Sequence, residues 1–176
     1  MTSFVGRMIG AAKLDVRVYE EVEADGTATG QAMGVVLLSS LAAGVGSAAL
    51  GTGVVFAAVA ALVSWFIWAY LTYLVGTRLF PEPQTEADTG QLLRTLGFAQ
   101  SAGVLRVFGG VPGVGPLLLF IVSVWMLVAM VIAVRQALDY STTWRAAGVC
   151  IVAWLAVIIP AVVLLGLFGT TVESQP

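Results

Sequence analysis

Apolar and polar positions follow two patterns along the chain: a short N-terminal stretch with helical periodicity, then long runs almost free of charge. Val5, Ile9, Ala12, Val16 and Tyr19 recur at i, i+4, i+7, i+11 and i+14, with Phe4 and Met8 beside them. This spacing predicts one amphipathic helix over 4–19. Arg7, Lys13 and Arg17 lie off its apolar face. Two placements fit: the helix rests on anionic headgroups at the cytosolic surface, or it packs on the cytosolic end of a helical bundle. Glu20, Glu21, Glu23 and Asp25 follow, closed by Gly26, a helix stop. The four acids match no ordered calcium loop and read as a solvated face, with Arg17 and Glu21 paired at i, i+4.

Five apolar runs come next, at about 32–50, 54–75, 92–108, 117–138 and 146–168, near the ~20 residues a helix needs to cross a bilayer. The first is rich in small residues that let helices approach closely, and Gly30 and Gly34 form a small-xxx-small pair. A tight Gly51-Thr52-Gly53 turn leads into the second, where Tyr70 and Tyr73 fit an interfacial belt and Trp65 packs on a neighbouring helix. Pro81 and Pro83 break the chain, and Thr85 to Asp88 has the spacing of a capping box.

The third run is the ambiguous one because it carries Arg94, Gln100, Ser101 and Arg106. Twelve residues separate the two arginines, about 18 Å along a helix, so each can reach an opposite headgroup layer. Arg94, Gly97, Ser101 and Leu105 share a face suited to bundle packing, where Gln100 and Ser101 read as interhelical hydrogen-bonding groups. A hinge rich in Gly and Pro (109–116) precedes the fourth run, which ends in Arg135, Gln136, Asp139 and Tyr140. Arg135 and Asp139 read as an i, i+4 ion pair at a helix end. In the fifth run Pro160 predicts a kink.

Composition sharpens this picture. Of the 176 residues 59% are hydrophobic and 10% charged, against roughly 25% charged in a soluble domain. The fold class expected is therefore all-α: a polytopic membrane protein, a bundle of five transmembrane helices preceded by an N-terminal amphipathic helix. Residues 1–30 form the cytosolic helix and acidic segment, 31–170 the membrane domain and 171–176 a short tail. No removable signal peptide is expected in the first thirty residues. With the N-terminus in the cytosol and the C-terminus opposite, five spans leave Arg7, Lys13, Arg17, Arg78, Arg94, Arg135 and Arg145 inside and Arg106 alone outside, as the positive-inside rule prefers. A net charge of −2 and a pI of 4.9 exclude a nucleic-acid partner. With no His and a single Cys, Cys150, which reads as a buried inert thiol, the chain offers no catalytic residues and no metal or cofactor ligands.

The runs YEEVEADGTATGQA, GTRLFPEPQTEAD, LLRTLGFAQSAGVLRV and AVRQALDY followed by WRAAGV resemble, in this order, bacterial members of the Yip family, small five-span membrane proteins with Ypt/Rab-interacting eukaryotic relatives. The likeness covers about Leu14 to Leu167. It implies five spans and a cytosolic N-terminus, and it does not imply catalysis. Its eukaryotic members act in vesicle trafficking with Rab-type GTPases; this chain lacks their DLYGP signature, so no GTPase-binding residue carries over.

The function expected is a scaffold or adaptor in the cytoplasmic membrane whose partners are the lipid bilayer and other membrane proteins or a second copy. Arg7, Lys13, Arg17, Glu20, Glu21, Glu23 and Asp25 are candidates for membrane-surface or partner contact. The alternative is a small transporter or ion-conducting bundle, in which Gln100, Ser101, Arg135 and Asp139 converge across the third and fourth segments.

Overall fold

The computed structural model describes residues 3–47 and 54–168. The Gly51-Thr52-Gly53 turn, the end of the first predicted span and the short tail lie outside the described residues. Seven α-helices make up most of the described chain: α1 (Phe4–Ala12), α2 (Val16–Ala24), α3 (Thr29–Gly46), α4 (Val54–Leu74), α5 (Thr89–Ala99), α6 (Gly115–Ala137) and α7 (Thr143–Phe168). A wider π-turn, Val75–Leu79, closes α4, and a 3-10 stretch, Gln100–Gly110, continues α5.

The all-helical membrane architecture is present. Four helical segments among the described residues are long and apolar enough to cross a bilayer: Gly26–Gly46, Val55–Leu79, Gly115–Ala137 and Thr143–Pro160. The third predicted run is not a fifth uniform helix; its α-helix stops at Ala99 and the chain winds on with 3-10 geometry to Gly110. Such stretches rarely exceed three or four residues, and tertiary packing holds this one. It lies along α3: a Cβ on Gly97 would come within 2.7 Å of Ala32 Cβ, one on Gly103 would strike Ser39, and one on Gly46 would strike the Arg106 carbonyl. The α5 and 3-10 rod therefore keeps pace with α3 from Ala32 to Gly46, a length of about 20 Å at ~1.5 Å per residue.

The single helix expected over 4–19 is two. Lys13 ends α1, Leu14 takes a left-handed φ of 63°, and Asp15 restarts the chain by accepting a hydrogen bond from the Arg17 N–H at 3.1 Å. An Asp that can cap a helix competes with continuation through it. The Tyr19 hydroxyl donates to the Ala11 carbonyl at 3.0 Å and ties the hairpin.

One residue of α1 departs from the expectation. Val5 and Ile9 are 60% and 50% exposed, whereas Arg7, which was expected off the packed face, is 2% exposed. Phe4, Met8 and Tyr19 of the stripe pack on the core, and of the three basic residues only Arg7 turns inward, while Lys13 and Arg17 stay exposed. α1 also touches the bundle: Phe4 meets Phe98 edge-on with ring centroids 6.5 Å apart, and the Trp125 indole N–H donates to the Ala12 carbonyl at 2.7 Å, near the midpoint of α6.

The core lies where α2, α3, α5 and α6 meet, around Tyr19, Val22, Val35, Leu92, Phe98 and Leu138. Trp65 packs between helices as expected and donates to the Leu93 carbonyl at 3.1 Å. Cys150 is buried, and α7 continues through Pro160. The capping box sits three residues later than predicted. Asp88 is the N-cap and shares reciprocal bonds with Gln91, while the Thr85 hydroxyl donates to the Leu138 carbonyl at 3.1 Å.

Candidate functional site

The polar side chains gather at one end of the bundle, where α1, α2, the start of α3, α5 and the α6–α7 link converge. Arg7 is its centre. Its Nη2 lies 2.9 Å from Glu21 Oε1 and 2.7 Å from Asp25 Oδ2, its Nε donates to Glu21 at 3.2 Å, and its Nη1 donates to Gln31 at 3.0 Å. A buried guanidinium persists only with such a full set of acceptors. The Thr27 hydroxyl, donating at 2.6 Å, and then Arg7 pull the Asp25 carboxyl down to about 2.

The predicted solvated acidic face is thus largely committed to protein groups. Glu21 pairs with Arg7 rather than Arg17. Arg17 is 88% exposed and reaches Asp15 at 3.4 Å, because the i, i+4 neighbour was already taken by a buried cation. Lys13 is exposed at the end of α1. Glu20 accepts from Gln136 at 3.0 Å and Glu23 from Gln91 at 3.1 Å. Burial first, then Asp139, raises the Glu23 carboxyl to about 7; Arg94 opposes this, and Glu20 and Asp88 add to it.

Arg94 is buried and turned onto the end of α2. Its Nε donates to the Val22 carbonyl at 2.9 Å and the Glu23 carbonyl at 3.1 Å, and its Nη2 also donates to Glu23. Those carbonyls have lost their helical partners and carry the negative end of the helix dipole, so a guanidinium satisfies both needs. Arg94 therefore locks the N-terminal hairpin to α5 instead of reaching for headgroups. Arg106 is half-buried in the 3-10 stretch.

Ser101 donates to the Phe98 carbonyl three residues back, at 2.7 Å, and so bonds within its own segment and not between helices. Gln100 lines a cavity of about 530 Å³ with Trp65, Trp68, Met126, Met130 and Trp154. The Trp68 indole N–H is buried and has no partner among the described residues. Arg135 and Asp139 lie beyond this cavity at the end of α6, so the four expected polar residues do not converge.

The expected Arg135–Asp139 pair is also not formed. α6 ends at Ala137, and Asp139 turns with a left-handed φ of 52°, which takes it off the helical face that i, i+4 spacing presumes. Arg135 instead donates to the carbonyls of Tyr140 (3.2 Å) and Ser141 (3.3 Å) and to the Thr143 hydroxyl (3.2 Å).

The sequence reading missed Glu82 and Tyr140. The Glu82 carboxylate accepts from the Ser141 N–H at 3.0 Å and pairs with Arg145 Nε at 3.1 Å. These contacts, Ser141 first, hold it below the usual carboxylate range. The Tyr140 hydroxyl donates to the carbonyls of Gly76 (3.0 Å) and Phe80 (2.9 Å), groups that the π-turn leaves open; burial raises its phenol to about 12. The Pro81/Pro83 break marked this link, but no periodic pattern identifies its partner across the fold. Among the described residues no group of three or more His, Cys, Asp or Glu is placed to hold a metal ion.

The family described as the Yip1 domain matches over residues 17–165. No curated protein and no solved structure matches the chain.

Proposed function

A match over residues 17–165 covers most of the chain, which therefore belongs to the Yip1 domain family, and from that premise we propose an integral-membrane scaffold or adaptor that binds other membrane proteins or organises the bilayer, without catalysis. The carrying observation is how the buried cations are used. Arg7 and Arg94 close on protein groups and fix the N-terminal hairpin to the bundle, which favours a rigid platform over a site awaiting substrate. Outward, α4 presents Val55, Val59, Val63 and Phe66, all more than half exposed and spaced for one helical face. Such a face meets either lipid or a partner helix. In this reading the protein sits in the cytoplasmic membrane with its N-terminus on the cytosolic side.

A photocrosslinking amino acid at Val59 tests it. Discrete protein adducts in native membranes, with no ion flux from reconstituted liposomes, are expected. The cavity around Gln100 favours the transporter reading, and a robust dye-detected flux lost in Gln100→Leu would establish that reading in place of the scaffold.

A further inference from the structure

A second hollow, of about 490 Å³, runs between α2, α6 and the start of α7. Its floor is apolar: Val16 from α2 faces Leu127, Val131 and Ile132 of α6. Its rim is cationic. Leu127, Val131 and Arg135 follow at i, i+4 and i+8 along α6, so the apolar trough leads about 12 Å along the helix to a guanidinium at the end of the span. Thr143 completes that rim, and Trp144 beside it is 87% exposed, as expected of an aromatic residue at the headgroup level.

Arg135 has spare capacity. Its three bonds go to neutral acceptors, two carbonyls and a hydroxyl, and none of the ion pairs among the described residues involves it. A guanidinium carries five N–H donors, so two remain. An acid beside the same rim, Glu20, is held by Gln136 at 3.0 Å and forms no ion pair with Arg135 among the described residues. An apolar channel ending at an open guanidinium has the polarity of a phospholipid, chain first and phosphate at the mouth, and basic pockets between membrane helices hold anionic headgroups in this way.

We propose that this groove is a binding site for one anionic phospholipid, with an acyl chain along Val16, Leu127, Val131 and Ile132 and the phosphate on Arg135. The occupant is a lipid and not a free anion, because the hollow is mostly hydrocarbon-lined and lies along a membrane-spanning helix.

The test uses the whole purified chain in a neutral detergent, with native mass spectrometry counting bound lipid. Phosphatidylglycerol is expected to be retained in preference to phosphatidylcholine. Arg135→Gln should weaken phosphatidylglycerol retention about fivefold, the worth of one basic side chain at an anionic surface, and leave phosphatidylcholine unchanged. Arg135→Lys keeps the charge and should keep most of the preference. Val131→Trp fills the trough without touching the guanidinium and should lower retention of the anionic lipid with the α6–α7 link intact. Equal retention of the two lipids by the native chain, or an unchanged preference in Arg135→Gln, would overturn the site. Full competition by glycerophosphoglycerol, a headgroup without chains, would overturn the lipid assignment in favour of a simple anion site.

Discussion

At the residue scale, Glu23 carries a consequence of its surroundings. It sits at the end of α2 among Glu20, Asp88 and Asp139, with Arg94 the one opposing charge, and its carboxyl is raised from 4.5 to about 7, chiefly by burial. Between those values the folded state holds a proton that the unfolded chain releases, so the contribution of Glu23 to stability is full below about pH 4.5 and is lost as pH rises to about 7. Asp25, lowered to about 2, acts only in a more acidic window. Thermal unfolding in detergent should therefore show a downward slope in melting temperature from about pH 4.5 to 7 that Glu23→Gln largely removes. An unchanged slope in the variant would place the effect elsewhere. Individual residues were legible where one property decided the outcome: Trp65 and Cys150 lie in apolar runs and are buried. Arg7 was not, because a charge on a periodic stretch is assigned to water by default, and its partners Glu21, Asp25 and Gln31 are 14, 18 and 24 residues away. Local spacing carries no information about such pairings.

At the scale of elements, length and apolarity identified the four long helices, while their ends and the third segment depended on contacts. The clearest case is the pairing of α3 with the α5 and 3-10 rod. Gly97 was visible as a small residue on a packing face, yet nothing in the local sequence specifies 3-10 winding from Gln100 onward; that geometry follows from lying against Ser39 and Gly46. Gly103→Ala would drive a Cβ into the Ser39 side chain, with Met126 Sδ also only 3.2 Å away. Overpacking of this kind costs roughly 1–3 kcal/mol. The loss should appear as a lower unfolding temperature, and Ser39→Gly in the same chain should recover part of it, since neighbours that share a clash are not additive. Equal losses with and without Ser39→Gly would mean that the contact does not limit the packing. The α1–α2 break follows the same logic at smaller cost: Asp15 falls inside the stretch read as one helix, and its side chain is the cap of the next.

At the scale of the whole molecule, the question is how many times the chain crosses the bilayer. Four segments among the described residues qualify as spans by length and apolarity, and a count of four would return the chain to its starting side. The α5 and 3-10 rod lies beside α3 from Ala32 to Gly46, however, and a 3-10 helix rises ~2.0 Å per residue, so residues 97–110 cover the depth that α3 covers between those points. This geometry supports five crossings. Charge agrees: with the rod crossing, seven of the eight basic residues fall on the side of α1 and only Arg106 on the other, whereas a re-entrant third segment moves one more to the wrong side. Thr85 and Gly113 bracket the rod, and Gly113, whose left-handed φ of 80° strains any other residue, lies in an exposed turn with open space around it, so cysteines at the two positions report on the two ends of the rod. In a Cys150→Ala background, Thr85→Cys and Gly113→Cys in intact cells should react with an impermeant thiol reagent from opposite faces, Gly113→Cys from outside and Thr85→Cys only after the membrane is opened. Labelling of both from one face would reduce the rod to a re-entrant segment, put the C-terminus on the same side as α1, and leave the close packing against α3 as a half-depth contact.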